Sequence, residues 1–340
     1  MNKSLKTSLF AALATALAAG AASAADKMTF AVPAVPPVYG GVIAYVAKDV
    51  GIFKKYDLDV EVKPFDSGAA AANAVNAGSV DFSLSPTPFV ATMISNAGAK
   101  VKAIWGMEKS DWLITSMDGA KTSCEAMKGQ GVGVDSPRGA RWIQLDNYLR
   151  ARCKLTTDTD VPTVPLSSNV GTAMASGQIT FGVLHLDDAP VIERMSGKKV
   201  HVIAEIEKVV PDQHYLVGIA RADNLAAKRD IYVRLVAALR DAADYMKNPA
   251  NADKVSDIAK VTGRDKPDAK AALAAYIKME YWPIGQAGLA KARLDTAIQS
   301  QVRAGQASKG KSGINPEKKA VTYEEMVDLS VWNDAQKVKK

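Results

Sequence analysis

A stretch of this chain occurs twice at a constant spacing, and this repeat limits the possible folds more than any other feature. Residues 74–104 align with residues 173–203 at a shift of 99 positions without a gap. The matched pairs include Gly78 with Gly177, Phe82 with Phe181, Gly98 with Gly197, Lys100 with Lys199 and Ile104 with Ile203. Each copy predicts a helix ending at glycine, a strand, a second helix ending at glycine and another strand. We therefore expect one βα unit in each of two lobes.

The rest of the chain continues this alternation. The predicted strands are Met28–Val32, Leu58–Val62, Val101–Gly106, Trp112–Met117, Gln130–Val134 and Tyr215–Ala220. The predicted helices are Gly41–Val50, Ala69–Ala77 and Arg138–Arg152, and the chain is helical from Asn224 onward. Strands that alternate with helices indicate an α/β protein with a mostly parallel sheet in each lobe. Such sheets bind ligands beyond the carboxyl ends of their strands, so two facing sheets predict a shared cleft.

The N-terminus has the pattern of a secretory signal peptide. Lys3 and Lys6 precede an apolar run from Leu9 to Ala22, and Ala22-Ser23-Ala24 is a small-x-small cleavage site. The run is shorter than the roughly 20 strongly apolar residues of a membrane span. We expect residues 1–24 to be removed and the mature protein to work in the periplasm.

The length of the mature chain favours two lobes over one core. We assign residues 25–115 to lobe 1, 116–213 to lobe 2, and 214–340 to a return to lobe 1 with added C-terminal helices. The formal net charge is +7, but the basic residues near the C-terminus alternate with glutamates and lack interleaved aromatic residues. This pattern is typical of a solvated surface and argues against nucleic-acid binding. We expect a monomer.

Cysteine and histidine are too sparse for a metal or cofactor site. Cys124 and Cys153 would pair in an oxidising compartment, and two buried free thiols are the alternative. His185, His201 and His214 show no metal-ligand spacing, and no serine or cysteine nucleophile sits in a recognisable motif. We therefore expect no cofactor, no metal and no enzyme activity.

Residues 305–312 satisfy the phosphate-loop pattern letter by letter. That pattern requires a strand before it and a helix after it. Here a helical segment precedes it and a loop containing Pro316 follows, so we interpret the match as coincidental.

Four segments in order resemble one protein family, the nitrate/sulfonate/taurine-type substrate-binding proteins of ABC importers. They are Tyr45–Glu61, Ala77–Phe82, Lys128–Val134 and Ser176–Ile179. The chain departs from the family pattern at Asp57, where the family has glycine, and at Ile179-Thr180, where it has Val-Asp.

The resemblance implies a two-lobed periplasmic-binding-protein-like fold of type II. It also implies capture of a small molecule that is handed to a permease and its ATPase. Relatives of the family bind thiamine-pyrimidine precursors. An enzyme on the same fold, similar to thiamine-pyrimidine synthases, is one alternative function, and a ligand sensor for a membrane receptor is another.

The candidate ligand-binding residues follow predicted strands or begin helices. They are Pro37, Tyr39, Ser67, Gly68, Ser85, Thr87, Trp112, Ser136, Arg138, Gly139, His185, Asp187, Asp188 and Tyr215. Ser136 is expected to cap a helix and Pro137 to open it. Arg138 could bind a carboxylate or sulfonate, or could form a salt bridge with Asp187 or Asp188. Trp105, Tyr281 and Trp282 are further aromatic residues that could stack on a planar ligand.

The best interpretation of the ligand is therefore a small organic anion, which could be aromatic. The aromatic residues would equally suit a heterocycle, and the two aspartates would suit an amine if they face the cleft.

Overall fold

The computed structural model describes residues 25–107, 109–157, 159–210, 214–283 and 288–338, and the predicted signal peptide lies outside them. Within these residues, ten strands form two five-stranded sheets. The first sheet contains β1 (Asp26–Pro33), β2 (Leu58–Phe65), β3 (Phe82–Pro86), β4 (Val101–Gly106) and β10 (Leu216–Arg221). The second contains β5 (Trp112–Ser116), β6 (Val132–Val134), β7 (Thr163–Pro165), β8 (Phe181–His185) and β9 (His201–Glu205).

Both sheets have the same strand order. It is β2-β1-β3-β10-β4 in the first and β7-β6-β8-β5-β9 in the second. In each sheet the first three strands in this order pair in parallel, and the fourth (β10 or β5) runs antiparallel to both of its neighbours. The two lobes are thus two copies of one mixed, mostly parallel plan, as the α/β prediction requires.

Helices flank both sheets. Those between the strands are α1 (Val42–Asp49), α2 (Ile52–Lys55), α3 (Gly68–Asn76), α4 (Thr87–Ala97), α5 (Cys124–Met127), α6 (Ala140–Tyr148), α7 (Val170–Ala175), α8 (Asp188–Ser196) and α9 (Ile206–Val209). Those after β10 are α10 (Ala222–Ala227), α11 (Arg229–Lys247), α12 (Ala252–Ala259), α13 (Lys266–Lys278), α14 (Lys291–Ala307), α15 (Tyr323–Met326) and α16 (Ser330–Ala335). Because α11 and α12 pack against α1, the C-terminal helices build on the first lobe.

The predicted repeat is confirmed. α3, β3, α4 and β4 correspond to α7, β8, α8 and β9, and β3 and β8 begin at Phe82 and Phe181, 99 positions apart. All four predicted glycines at helix ends adopt the left-handed conformation, with φ of 75° at Gly78, 80° at Gly177, 65° at Gly98 and 68° at Gly197. Any residue with a Cβ would be strained in this conformation. Glycine is therefore favoured at these positions, and the helix ends could be recognised from the sequence.

The change from the first lobe to the second occurs earlier than predicted. Residues 112–116 form β5, which pairs antiparallel with β8 and β9 of the second sheet. The first crossing between sheets therefore comes between the end of β4 at Gly106 and the start of β5 at Trp112, rather than at residue 115. The chain returns between α9 and β10, and β10 joins the first sheet as predicted.

One large cluster of buried apolar side chains extends through both lobes. In the first sheet, the rings of Phe30 and Phe82 meet edge to face at 4.8 Å. Gly218 in β10 packs against the Phe82 ring, because a Cβ there would lie 2.3 Å from Cζ of Phe82. A second, smaller cluster fills the space beside β8 and contains Val170, Met174 and Ile192.

Cys124 and Cys153 are joined by a disulfide whose Cα atoms are 5.5 Å apart. It connects α5 to the turn of π-helix at Leu149–Cys153 and closes a loop with a sequence separation of 29. A loop of this length stabilises the fold by about 3–4 kcal/mol in the chain-entropy account.

The phosphate-loop pattern has a packing explanation. Gly305 lies inside α14, where a Cβ would stand 1.7 Å from the carbonyl oxygen of Ile314. The glycine therefore permits a close backbone approach, and a helix rather than a strand precedes the pattern.

Candidate functional site

A cavity of about 460 Å³ lies between the two sheets. Its walls are the segments that follow β1, β2, β6 and β8, so it lies at the carboxyl ends of parallel strands in both lobes. Trp112 and Tyr215, at the crossings between the sheets, also line it, as do Arg264 and Tyr281 from the C-terminal region.

The wall from the first lobe contains Tyr39 and a cis peptide bond between Val35 and Pro36. Tyr39 is 1% exposed, stacks on Tyr276 with ring centroids 4.8 Å apart, and donates a hydrogen bond from its hydroxyl to the Ala269 carbonyl. Its ring thus joins the cavity wall to α13.

The N-terminus of α3 completes this wall. Ser67 Oγ accepts a hydrogen bond from the Ala70 amide at 3.1 Å and caps the helix. At Gly68 a Cβ would lie 2.5 Å from Cδ of Pro86, so only glycine lets the start of the helix approach β3 this closely.

The wall from the second lobe is formed by the turn before α6. Asp135 accepts hydrogen bonds from the amides of Ala140 at 2.8 Å and Arg141 at 3.0 Å. The first amides of this helix are therefore satisfied by the chain's own carboxylate. Gly139 allows the tight turn, since a Cβ there would lie 2.3 Å from Ser136 Oγ.

Three rings and a guanidinium pack together at the base of the cavity. Trp112 lies 3.8 Å from the His185 ring and 5.3 Å from the Tyr215 ring, measured between centroids. The Arg141 guanidinium sits over Trp112 at 5.3 Å, within the range of a cation–π contact. These contacts fix the plane of Trp112.

A buried network of charged groups extends from this base to the C-terminal helices. Asp111 Oδ2 accepts a hydrogen bond from the Tyr276 hydroxyl at 2.6 Å and lies 2.8 Å from His185 Nδ1. The same hydroxyl lies 2.8 Å from Asp187 Oδ1. Tyr276 belongs to α13, so the network joins α13 to the end of the β5–β8 pair at which β5 begins and β8 ends.

Two arginines neutralise the acids at the start of α8. Arg264 Nη2 donates to Asp188 Oδ1 at 2.7 Å and forms an ion pair with Asp187 Oδ2 at 2.6 Å. Arg141 Nη2 is 3.6 Å from Asp188 Oδ2, and that oxygen accepts a hydrogen bond from the His185 amide. Arg264 precedes α13, so its ion pairs connect the C-terminal helices to the second lobe.

Burial and these neighbours shift the pKa values of the network. Burial raises the pKa of Asp187, and Arg264 only partly opposes it. Burial also acts to raise the pKa of Asp188, but Arg141, His185 and Arg264 together lower it. Burial raises the pKa values of Tyr215, Tyr276 and Tyr281 well above 10, so all three remain hydrogen-bond donors at neutral pH.

The sequence model of one protein family, described as NMT1/THI5 like, matches residues 41–252, more than half of the 340-residue chain. The chain belongs to the NMT1/THI5-like family. A Brucella abortus (strain 2308) protein that is provisionally named a binding protein is 28% identical to this NMT1/THI5-like protein over 237 residues. The alignment covers 69% of this chain and 71% of that protein.

Solved structures share its architecture. The periplasmic aliphatic sulphonate-binding protein SsuA of Escherichia coli aligns with a TM-score of 0.66 at 15% identity, over 89% of this chain and 92% of that one. The periplasmic nitrate-binding protein NrtA of Synechocystis PCC 6803 aligns with a TM-score of 0.68 at 12% identity, over 92% and 88%. The predicted family resemblance and the two-lobed periplasmic-binding-protein fold are thus confirmed.

The cavity of this NMT1/THI5-like protein brings together all but two of the predicted site residues. Those that line it are Pro37, Tyr39, Ser67, Gly68, Trp112, Ser136, Arg138, Gly139, His185, Asp187, Asp188 and Tyr215. Their contact with a ligand remains a prediction.

Ser85 and Thr87 do not line the cavity, contrary to the prediction. Ser85 is fully buried in β3, between β1 and β10, and its hydroxyl lies 2.8 Å from that of Ser83. Thr87 Oγ1 lies 2.8 Å from Nδ1 of His214, whose Nε2 is 2.6 Å from the Gly288 carbonyl oxygen. Burial lowers the pKa of His214 to about 4, so a neutral ring accepts from Thr87 and donates to Gly288.

Arg138 differs from its predicted surroundings. It is exposed, has a φ of 60°, and lies in the turn before α6, whereas Arg141 forms the ion pair with Asp188. The prediction of a cap at Ser136 and of Pro137 in the first helical position is wrong, because α6 begins at Ala140 with Gly139 as its N-cap residue, and its first amides donate to Asp135.

Sequence reasoning missed Asp111, Arg141, Arg264 and Tyr276. Asp111 and Arg141 could have been found from the sequence, since Asp111 directly precedes the candidate Trp112 and Arg141 lies three positions after the candidate Arg138. Arg264 and Tyr276 carry no local signal, because they lie where the family resemblance fades.

In the described part of the chain, no group of histidine, cysteine and acidic side chains is arranged to hold a metal ion. No helix among the same residues is long and apolar enough to cross a membrane.

Proposed function

We propose that this chain is the exported solute-binding component of an ABC importer. It captures a small molecule between its lobes in the periplasm and delivers it to a permease driven by an ATPase. The observation that carries the proposal is the cavity of about 460 Å³, which is walled by equivalent loops of two sheets with the same strand order. A ligand there contacts both lobes at once, so it stabilises the arrangement in which the lobes are together.

The relatives support capture rather than catalysis. The names of the two solved structures are those of a sulphonate-binding and a nitrate-binding periplasmic protein. The charged side chains at the base of the cavity are engaged with one another, which suits a rigid binding surface. We infer that the bound molecule leaves chemically unchanged.

The ligand that the cavity suits best is a small organic anion with a carboxylate or sulfonate group. Arg141 and Arg264 are neutralised by the aspartates of α8, whereas Arg138 stands exposed on the wall without an ion pair among the described residues. The rings of Trp112 and Tyr281 offer contact to an apolar or aromatic body.

A thermal-shift screen of the mature protein tests the proposal. The panel contains sulfonates, carboxylates, aromatic acids, amines, pyrimidines and vitamins. At 100 times its dissociation constant a ligand adds about 2.7 kcal/mol, enough to raise the midpoint of unfolding by a few degrees.

We expect carboxylates or sulfonates to give the largest shifts and to be recovered unchanged by mass spectrometry after incubation. Conversion of the compound would instead indicate an enzyme. A shift by amines alone would contradict the ligand class while leaving the binding function in place.

A further inference from the structure

His185 is the last residue of β8 and lies at the carboxyl end of that strand. The residue is 8% exposed and lines the cavity, and its ring lies against Trp112. Its Nδ1 atom is 2.8 Å from Oδ2 of Asp111, a residue that is 3% exposed. One edge of the imidazole is therefore held by a buried carboxylate while the ring borders the cavity.

The hydrogen bonds of Asp111 assign the proton on Nδ1. Asp111 Oδ2 already accepts from the Tyr276 hydroxyl, so it acts as an acceptor for His185 as well. Nδ1 then carries a hydrogen in both protonation states, and Nε2 is the atom that titrates. No hydrogen-bond partner for Nε2 occurs among the described residues. A neutral ring offers the cavity a lone pair, and a charged ring offers it an N–H donor.

The surrounding charges favour an additional proton. The groups that face His185 and its partners are Asp111 before β5, Asp135 and Arg141 at α6, Asp187 and Asp188 at α8, Tyr215 before β10, Arg264 and Tyr276 at α13, and Tyr281 after it. Asp135 is held by the amides of α6. In the connected network, three carboxylates (Asp111, Asp187, Asp188) face two guanidiniums (Arg141, Arg264), so one proton balances the buried charge.

Two groups can hold that proton. Burial raises the pKa of Asp187. Burial acts to lower the pKa of His185, but the carboxylates of Asp111 and Asp188 together outweigh it and the pKa is raised. A ligand oxygen at Nε2 would draw the proton to His185, because only the charged ring can donate there.

We propose that His185 determines specificity in the cleft by donating a hydrogen bond from protonated Nε2 to the carboxylate or sulfonate of the ligand, with Asp111 as its positioning residue. This inference rests on the proposed function, since it requires an anion in the cavity. Its consequence is that the bound complex retains a proton at pH values where the free protein has lost it. Affinity then falls by up to about tenfold per pH unit above the pKa of His185 in the free protein.

The test uses benzoate and benzenesulfonate as probes, at up to about 10 mM, where millimolar dissociation constants are measurable. The imidazole nitrogen signals of His185 are followed by NMR between about pH 5.5 and 9 with and without probe, and are assigned by their loss in His185→Gln. We expect the probe to raise the pKa of His185 and its affinity to weaken as the pH rises. His185→Gln should bind with an affinity independent of pH, because its amide donates without titrating.

Two further variants separate direct from indirect effects. Asp111→Asn should lower the pKa of His185 and shift the pH profile of binding to lower pH. His201→Gln is the matched control, since His201 lies in β9 and does not line the cavity, and it should leave the profile unchanged.

The inference is overturned if a probe binds while the His185 signals and the affinity stay constant across this pH range. That result would leave the proposed function intact. If neither probe binds, the anion proposal fails and the role of His185 fails with it. If His185→Gln does not fold, the loss of signals in His201→Gln identifies His201, and the ring of His214, whose pKa burial lowers to about 4, does not titrate in this range. The remaining titrating signals then belong to His185, so the NMR measurement on the unsubstituted protein stays decisive.

Discussion

Arg264→Met is expected to reduce the free energy of unfolding by about 3–5 kcal/mol at neutral pH, because it leaves the buried Asp187 carboxylate without a guanidinium and Asp188 with Arg141 alone. Arg264 contacts Asp187, whose side chain is fully buried, and Asp188, and its own side chain is only 12% exposed. Methionine replaces most of the apolar volume of arginine but not its charge. The decrease in the free energy of unfolding therefore reports the cost of carboxylates that have lost their counter-charge. Urea unfolding followed by circular dichroism provides the measurement.

The loss should depend on pH in a defined direction. Burial already raises the pKa of Asp187 above its value in the unfolded chain, and removing Arg264 raises it further. A group whose pKa is raised on folding stabilises the fold at low pH and loses that contribution as the pH rises through the folded value. The difference between Arg264→Met and the unsubstituted protein should therefore be small in acid and grow toward neutral pH.

Arg194→Met is the matched control. Arg194 is 54% exposed and pairs with Asp265 and Asp268 at the start of α13, next to the Arg264 site. Solvent screens such a pair, so its removal should cost far less and should not vary in the same way with pH. Equal losses in the two variants would show that the buried network is not what holds α13 to the second lobe.

Ala140→Trp is expected to weaken ligand binding by at least about a hundredfold while the protein stays folded. Ala140 is the first residue of α6, is half-buried, and lines the cavity from the second lobe. An indole there would occupy space that the ligand needs. Binding is measured by calorimetry with the compound that gives the largest thermal shift.

Ala226→Trp provides the comparison, because Ala226 is exposed on α10 and does not line the cavity. It should bind as tightly as the unsubstituted protein. If Ala140→Trp also retained full affinity, the ligand would have to bind outside the interlobe cavity.

Much of the fold was predictable because its signals are local. The glycines at helix ends must adopt positive φ, so they mark equivalent helix ends in both lobes. Asp57 follows the same logic, since its φ of 53° explains why the family has glycine where this chain has an aspartate. The assignment of β5 to a sheet was not predictable in this way, because strand pairing joins residues that are distant in sequence.

The same contrast between local signals and contacts distant in sequence applies to the candidate site. His185 and Ser67 were found because loops after parallel strands converge on one cleft. Arg141 was missed in favour of Arg138 because the choice depends on where α6 begins, and that start is set by the side chain of Asp135. Arg264 reaches the site only through the packing of α12 and α13 on the first lobe.

The distance between spin labels at Asn73→Cys on α3 and Lys198→Cys after α8 shows whether a ligand holds the two lobes together. Both positions are exposed, and the native cysteines are joined in a disulfide. We expect a broad distance distribution without ligand. When the best compound of the screen is added, we expect one narrow population at the separation seen in this structure. A distribution that the bound compound leaves unchanged would contradict capture by closure of the lobes.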